Sequence, residues 1–338
     1  MAHLVSYPPP YHGPTTTEES AMAINGVQFQ KGLSMAQFIE RYGTKERCEA
    51  ALVQSRWPNG FVCPACGVGD SSSFRRAGRL YFQCSACRHQ CSLISGTVFE
   101  STKLGLTRWF LAMHLLTQSK NNVSALELMR HLGVCYKSAW LLKHKVMEVM
   151  RVREESRQLT GRVEIDDAYL GGELPGGTSG RGSENKVPFL AAVQTTESGQ
   201  PVLACFSQRP FGNEAMKDFA ARSLALPLTL VSDGLACFNV ASAIGAVHDR
   251  TVTGGGAASV KLPQFHAINM VLGNLKRSLS GTYHAFDFTK YAHRYLAEAQ
   301  YRFNRRFDLS AILPRLVRAA ATTSPRGAAF LRAAEVCQ

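Results

Sequence analysis

The plainest chemistry in this sequence lies in four cysteines. Cys63 and Cys66, then Cys84 and Cys87, form two C-x2-C pairs separated by 17 residues. Zinc takes four soft ligands in a tetrahedron. A two-residue gap lets one tight turn aim two thiolates at the same ion, and a short hairpin brings the second pair opposite. The four are expected to hold a structural Zn2+. Incidental or redox cysteines are the competing reading, and this spacing fits them poorly. Cys91 stands nearby as a fifth cysteine and reads as buried apolar filler.

A second constellation is made of oxygen ligands. Asp166 follows the strand-like Val163-Glu164-Ile165, and Asp233 follows the strand-like run from Leu228 to Ser232. Two carboxylates at the ends of adjacent strands can share divalent cations about 3.5–4 Å apart, one activating an oxygen and one stabilising the leaving oxygen. Magnesium suits such a site because it prefers hard oxygen ligands and keeps several waters. Either aspartate alone would read as a turn or a helix cap. Thirty-six positions after Asp233, Asn269 opens a helical segment that continues through Lys276 and Arg277. Asn269 and Lys276 are seven apart, two helical turns, and so share a face. An amide oxygen can ligate magnesium without adding charge, and Lys276 would hold a phosphate in the same cleft. Asp167 should point to the opposite sheet face and is the weaker ligand candidate. Glu298, the alternative third carboxylate, has Arg302 four residues on and reads as an intrahelical ion pair.

The elements that must position these groups are legible in outline. Residues 1–25 carry a proline run and a Thr/Glu/Ser stretch and are expected to be a disordered tail. Residues 34–54 have helical pattern, and 26–100 is read as an N-terminal helix with the zinc ribbon. Residues 104–152 are rich in helix formers, with breaks at Asn121-Asn122 and Gly133, and 101–155 is read as a helix-turn-helix DNA-binding region. Within them Ser124 can cap one helix, with Glu127 completing a capping box. Gly133 supplies a turn, and Val134, Ala139, Leu142 and Val146 form the inner face of a second helix. That leaves Tyr136, Lys137 and Lys143 outward, as the recognition helix of a helix-turn-helix needs. The bland alternative is a helical spacer. From residue 163 short strand-like runs (Val163 onward, Val187 to Val193, Val202 to Phe206, Leu228 to Val231) alternate with helical pattern at 214–225, 235–245, 264–280 and 288–306. The fold class expected is multidomain α/β, with a mixed sheet flanked by helices over 160–310 and a basic C-terminal segment over 311–338.

Charge agrees with this division. Residues 51–153 hold 14 Lys/Arg against 4 Asp/Glu, residues 154–250 hold 8 against 12, and residues 251–338 hold 12 against 4. Basic segments flanking an acidic middle favour a polyanionic partner and a carboxylate metal site between. Arg302 and Arg305 are candidates to grip that partner, with a solvated helix face as the alternative. No run of 18 uncharged apolar residues exists, which argues against a membrane partner. The first 30 residues lack a signal-like apolar stretch, so a cytoplasmic protein is expected.

Taken together the motifs resemble a known family. Two aspartates, a third ligand after 35 intervening residues and Lys or Arg seven later is the pattern of DDE-type transposases. The likeness is greatest to the Merlin-related bacterial insertion-sequence transposases, which join a zinc ribbon and a helix-turn-helix to an RNase H-like domain. It is carried by Arg56 to Cys66, Ser95 to Glu100, Val163 to Gly172, Leu275-Lys276-Arg277, Gly281 to His284 and Tyr295 to Phe307. The resemblance implies that Asp166, Asp233 and Asn269 bind two Mg2+ ions, with Mn2+ able to substitute, and that Lys276 accompanies them. Asn269 stands where Glu is usual; part of the family is similar in having Asn there. It further implies double-stranded DNA as partner, both element ends and target, a homodimer or higher oligomer on that DNA, and association with the bacterial nucleoid. The function implied is metal-dependent strand cleavage and strand transfer. The rival readings are a non-catalytic DNA-binding regulator descended from a transposase and a stand-alone structure-selective nuclease.

Overall fold

The computed structural model describes residue 27 and residues 29–171, 186–252, 262–283 and 286–333. The tail expected over 1–25, His284 and the last five residues lie outside the described residues. From Lys31 on, the chain clusters into one unit.

The single helical stretch expected over 34–54 is two helices, α1 (Met35–Tyr42) and α2 (Lys45–Arg56), each with its own cap. The Ser34 hydroxyl accepts from Gln37 N–H in a full capping box, and Thr44 caps α2 through Arg47 N–H. A three-stranded antiparallel sheet follows, β1 (Ser71–Arg76), β2 (Arg79–Cys84) and β3 (Gln90–Ser92). Next come α3 (Leu106–Gln118), α4 (Ala125–Leu132) and the 19-residue α5 (Tyr136–Glu154). Leu128, Leu132, Ala139, Leu142 and Val146 are buried, as their spacing requires. The tight α4–α5 turn is made at Gly133, whose φ of 60° and ψ of 46° suit glycine.

The second half is built on a five-stranded sheet of order β6-β5-β4-β7-β8. Its strands are β4 (Leu159–Leu170), β5 (Val187–Thr195), β6 (Pro201–Gln208), β7 (Leu224–Ser232) and β8 (Val247–Arg250). The first three pair antiparallel as a meander, whereas β4, β7 and β8 run parallel. Helix α6 (Asn213–Ser223) and the one-turn α7 (Val240–Ala243) lie between strands, and α8 (His266–Thr282) and α9 (Phe288–Phe303) follow the sheet. Residues along β4 alternate between two apolar layers. Val163 and Ile165 join Met216, Phe219 and Phe238 on one face, while Ala168 and Leu170 join Ile268, Val271 and Leu296 on the other. This mixed sheet flanked by helices is an RNase H-like arrangement.

Two further elements differ from expectation. Strand β8 carries only one strongly apolar side chain among Val247-His248-Asp249-Arg250, too few to show a period. The basic C-terminal segment forms α10 (Ile312–Thr322), whose Ile312, Leu313, Leu316 and Val317 enter the helical core with α2, α3 and α5, followed by α11 (Ala328–Ala333). Its arginines stud the outer side of an amphipathic helix.

Candidate metal centre and nucleic-acid interface

The two cysteine knuckles meet at one point. Cys63 Sγ lies 3.6 Å from Cys87 Sγ, Cys66 Sγ lies 3.6 Å from Cys84 Sγ, and one sulfur from each residue falls within 4.8 Å of all the others. Zn–S bonds of about 2.3 Å in a tetrahedron put neighbouring sulfurs roughly 3.8 Å apart, so the four thiolates fit a zinc ion. Cys91 is buried and outside this group, as expected. Trp57, Phe61 and Phe82 pack against one another beside the knuckles, with ring centroids 4.9–5.5 Å apart.

The acidic cluster lies where parallel pairing ends. The β4–β7 ladder stops at Ile165 opposite Ser232, and β4 continues past it. Asp166 is therefore left beside Asp233, which begins the loop after β7. Their carboxylate oxygens and that of Asp167 all lie within 4.8 Å of one another. Such crowding of half-buried anions is unfavourable without a cation. Burial first, then the Asp167 and Asp233 charges, push the Asp166 carboxyl up to about 7; Asp167 N–H and Lys276 act in the other direction. Asp166 Oδ1 accepts from Asp167 N–H at 2.8 Å, and Asp233 Oδ1 accepts from Leu235 N–H at 3.1 Å. Between them Gly234 (φ 90°) admits Arg250, whose Nη2 donates to its carbonyl; a Cβ here would stand 3.0 Å from Arg250 Nε. A divalent cation with hard oxygen ligands suits this group.

Asp167 corrects the sequence reading. Strand alternation does put it off the Asp166 face, but its carboxylate still reaches the cluster because β4 has no β7 partner beyond Ile165. Asn269 is half-buried in the first turn of α8, directly after Ile268, whose backbone N–H donates to Glu164 on β4. Lys276 is exposed two turns along, near enough for its charge to act on Asp166.

The proposed DNA-contact residues separate into two groups. Tyr136 and Lys137 are exposed at the start of α5, and Ser124 accepts from Glu127 N–H at the start of α4. Lys143, expected outward, is buried instead: its Nζ donates to Val123 O at 2.6 Å and to Tyr283 Oη, and pairs with Glu298 Oε2 at 3.3 Å. Helix α9 covers that side of α5, which a helical wheel of α5 alone cannot show. Glu298 accordingly pairs across helices with Lys143, not along α9 with Arg302, and so is unavailable as a third carboxylate. Arg302 donates to Asn122 Oδ1 at 2.8 Å and to the Ser119 and Lys120 carbonyls. Arg305 is buried against Glu154 at 2.5 Å. Both arginines tie α9 to its neighbours and do not form an open basic face.

Comparison with known proteins agrees with this geometry. Residues 158–304 match the ISXO2-like transposase domain, and residues 43–90 match the transposase zinc-ribbon domain. Two regions of the chain thus carry domains of insertion-sequence transposases. A relative from Halobacterium salinarum, an uncharacterized protein in transposable element ISH50, is 32% identical over 177 residues. That match covers 47% of this chain and 58% of the relative, so the chain spans little more than half of that relative's length. The matched transposase domain takes in Asp166, Asp167, Asp233, Asn269 and Lys276, and the matched ribbon takes in Cys63, Cys66, Cys84 and Cys87. The α3–α5 helices lie between the two matched regions.

Proposed function

We propose that the chain is a DNA transposase that cuts the ends of its element and joins them to target DNA. The observation that carries this reading is the convergence of Asp166, Asp167 and Asp233 at the end of the parallel strands of an ISXO2-like domain. Asp166, Asp233 and Asn269 would hold two Mg2+ ions, or Mn2+ in their place, with Asp167 as an additional oxygen donor. Bound there, the ions supply Lewis-acid charge and lower the pKa of an attacking water or hydroxyl. Lys276, exposed on the Asn269 face of α8, holds a phosphate of the strand being cut. In the first step water attacks the scissile phosphorus and the 3′-oxygen leaves as a free hydroxyl. In the second that 3′-hydroxyl attacks a target phosphodiester and displaces its 3′-oxygen. No covalent protein–DNA intermediate enters.

End recognition falls to the ribbon and to the first turn of α5, where Tyr136 and Lys137 project. The partner is double-stranded DNA, and two or more copies of the chain act on it so that both ends are cut together. The direct test incubates purified protein with its element's terminal DNA and Mg2+ and scores nicks and joined products. Asp166→Ala should abolish both products while terminal DNA binding persists. Lys137→Ala should weaken binding several-fold. Binding without any metal-dependent cleavage by the parent protein would overturn the enzyme reading and favour a DNA-binding regulator.

A further inference from the structure

Helix α8 carries Asn269 and Lys276, yet no side chain of its own caps its first turn: residue 265 before it is Phe, and no local cap bond forms. The acceptor comes from the sheet. Glu164, 1% exposed on β4, takes the Ile268 backbone N–H on Oε2 at 2.8 Å. Its other oxygen is held by Arg162 Nη1 at 2.6 Å, and Arg162 Nη2 donates to Gln264 O at 3.0 Å. Arg162 Nη1 is steadied in turn by Thr195 Oγ1 on β5 at 3.0 Å. Strand β4 thus grips both sides of the start of α8.

The spacing gives the grip its meaning. Arg162, Glu164 and Asp166 alternate onto one face of β4, the face that α8 covers, with about 6.6 Å between successive members. Ile268, the residue held by Glu164, immediately precedes Asn269. A carboxylate at a helix N-terminus also interacts favourably with the helix dipole. Removing it would leave the first turn of α8 free to fray or rotate, and each residue of slippage turns a helical side chain by about 100°.

We propose that Glu164 is a positioning residue: it locks the first turn of α8 to β4 so that the Asn269 amide is presented to the Asp166–Asp233 cluster. This rests on the reading of Asn269 as a metal ligand. Groups that orient ligands typically contribute about 10–100-fold to metal affinity.

The test uses the full chain and Mn2+ as probe, with binding followed by electron paramagnetic resonance in the absence of DNA. Four variants are compared with the parent: Glu164→Ala, Glu164→Gln, Asn269→Ala and the Glu164→Ala/Asn269→Ala double. Melting temperature and terminal DNA affinity are measured beside them. Glu164→Ala should weaken Mn2+ binding about tenfold with DNA affinity unchanged. Glu164→Gln keeps an oxygen for Ile268 N–H and should recover much of that loss. The double variant should bind Mn2+ no worse than Asn269→Ala, because the tether acts through Asn269. If Asn269→Ala binds Mn2+ like the parent, the ligand reading fails and the tether proposal with it. If Asn269→Ala weakens binding but Glu164→Ala does not, or the two losses add fully, only the tether is overturned. Should Glu164→Ala not fold, Glu164→Gln alone and combined with Asn269→Ala carries the same comparison, with a smaller loss that must again vanish in the double.

Discussion

On the proposed function, Asn269 is the residue on which the chemistry turns, because it would contribute an oxygen without a charge. Asn269→Ala should lower cleavage by two orders of magnitude or more with the fold intact, measured as single-turnover nicking of terminal DNA. Asn269→Asp keeps an oxygen at the same reach and adds charge, so it should retain activity and shift the Mg2+/Mn2+ preference. At the ribbon, freshly purified protein should carry one zinc per chain. Cys63→Ser or Cys84→Ser should lose it and destabilise the ribbon, checked by metal analysis and thermal melting. Less than half an equivalent of zinc in folded parent protein would contradict this. At this scale the sequence was informative wherever spacing alone defines the chemistry. The cysteine pairs and the two strand-end aspartates announce themselves. Asp167 did not, since its place in the cluster depends on where β7 stops, and a strand end in a neighbouring element leaves no mark on β4.

Among the elements, α5 is the one that sequence half-described. Its inner apolar positions and the Gly133 turn were readable from period and from glycine's tolerance of positive φ. Its second buried face was not, because that face is polar. Lys143, Glu148 and Glu154 pair with Glu298, Arg294 and Arg305 respectively on and just after α9. Polar residues at outward helical positions look solvated until another helix is known to cover them. Breaking one member of a buried pair leaves the other charge uncompensated, at a cost of about 3–5 kcal/mol. Lys143→Ala should therefore destabilise the protein by that order in denaturant unfolding and weaken DNA binding only through the folded fraction. Lys143→Met with Glu298→Leu should fall much closer to the parent. A Lys143→Ala protein of parental stability that loses DNA affinity would restore Lys143 as a DNA contact.

Across the whole molecule, the helical core and the sheet domain are sewn together by buried polar groups, and this makes stability depend on pH. His144 is driven far below its usual pKa by burial, then by Arg294, Lys143 and His293; around it stand the Trp140, Tyr291 and Tyr295 rings. Burial, then Arg294, lowers His293 to about 4, against Glu148, which raises it. Both are neutral in the fold and bind protons near pH 6.5 when unfolded. Their contribution is thus fully present above pH 6.5 and is lost as pH falls toward 4, on the order of 1–2 kcal/mol for each by pH 5. The melting temperature should drop over that window, and His144→Phe should flatten the drop. A melting temperature that is level from pH 7 to 5 would contradict this. The fold class was legible because strands and helices alternate in texture. The packing of the C-terminal helix α10 among α2, α3 and α5 was not, since closing a chain's end onto its beginning requires contacts hundreds of residues apart.

The Lys143–Tyr283 contact joins two rods end to side: the first two turns of α5, which present Tyr136 and Lys137, and α8, whose far end holds Asn269. If Tyr136 and Lys137 read the element's end and Asn269 marks the cut, as proposed, the two act as a ruler. At 1.5 Å per residue the path from Lys137 to Asn269 is on the order of 30 Å, so the straight span along it is at most about nine base pairs of duplex. Bases that α5 of one chain reads at a greater offset from the cut would then be cut by a different copy, so the spacing between those bases and the element's end would record whether reader and cutter are the same molecule.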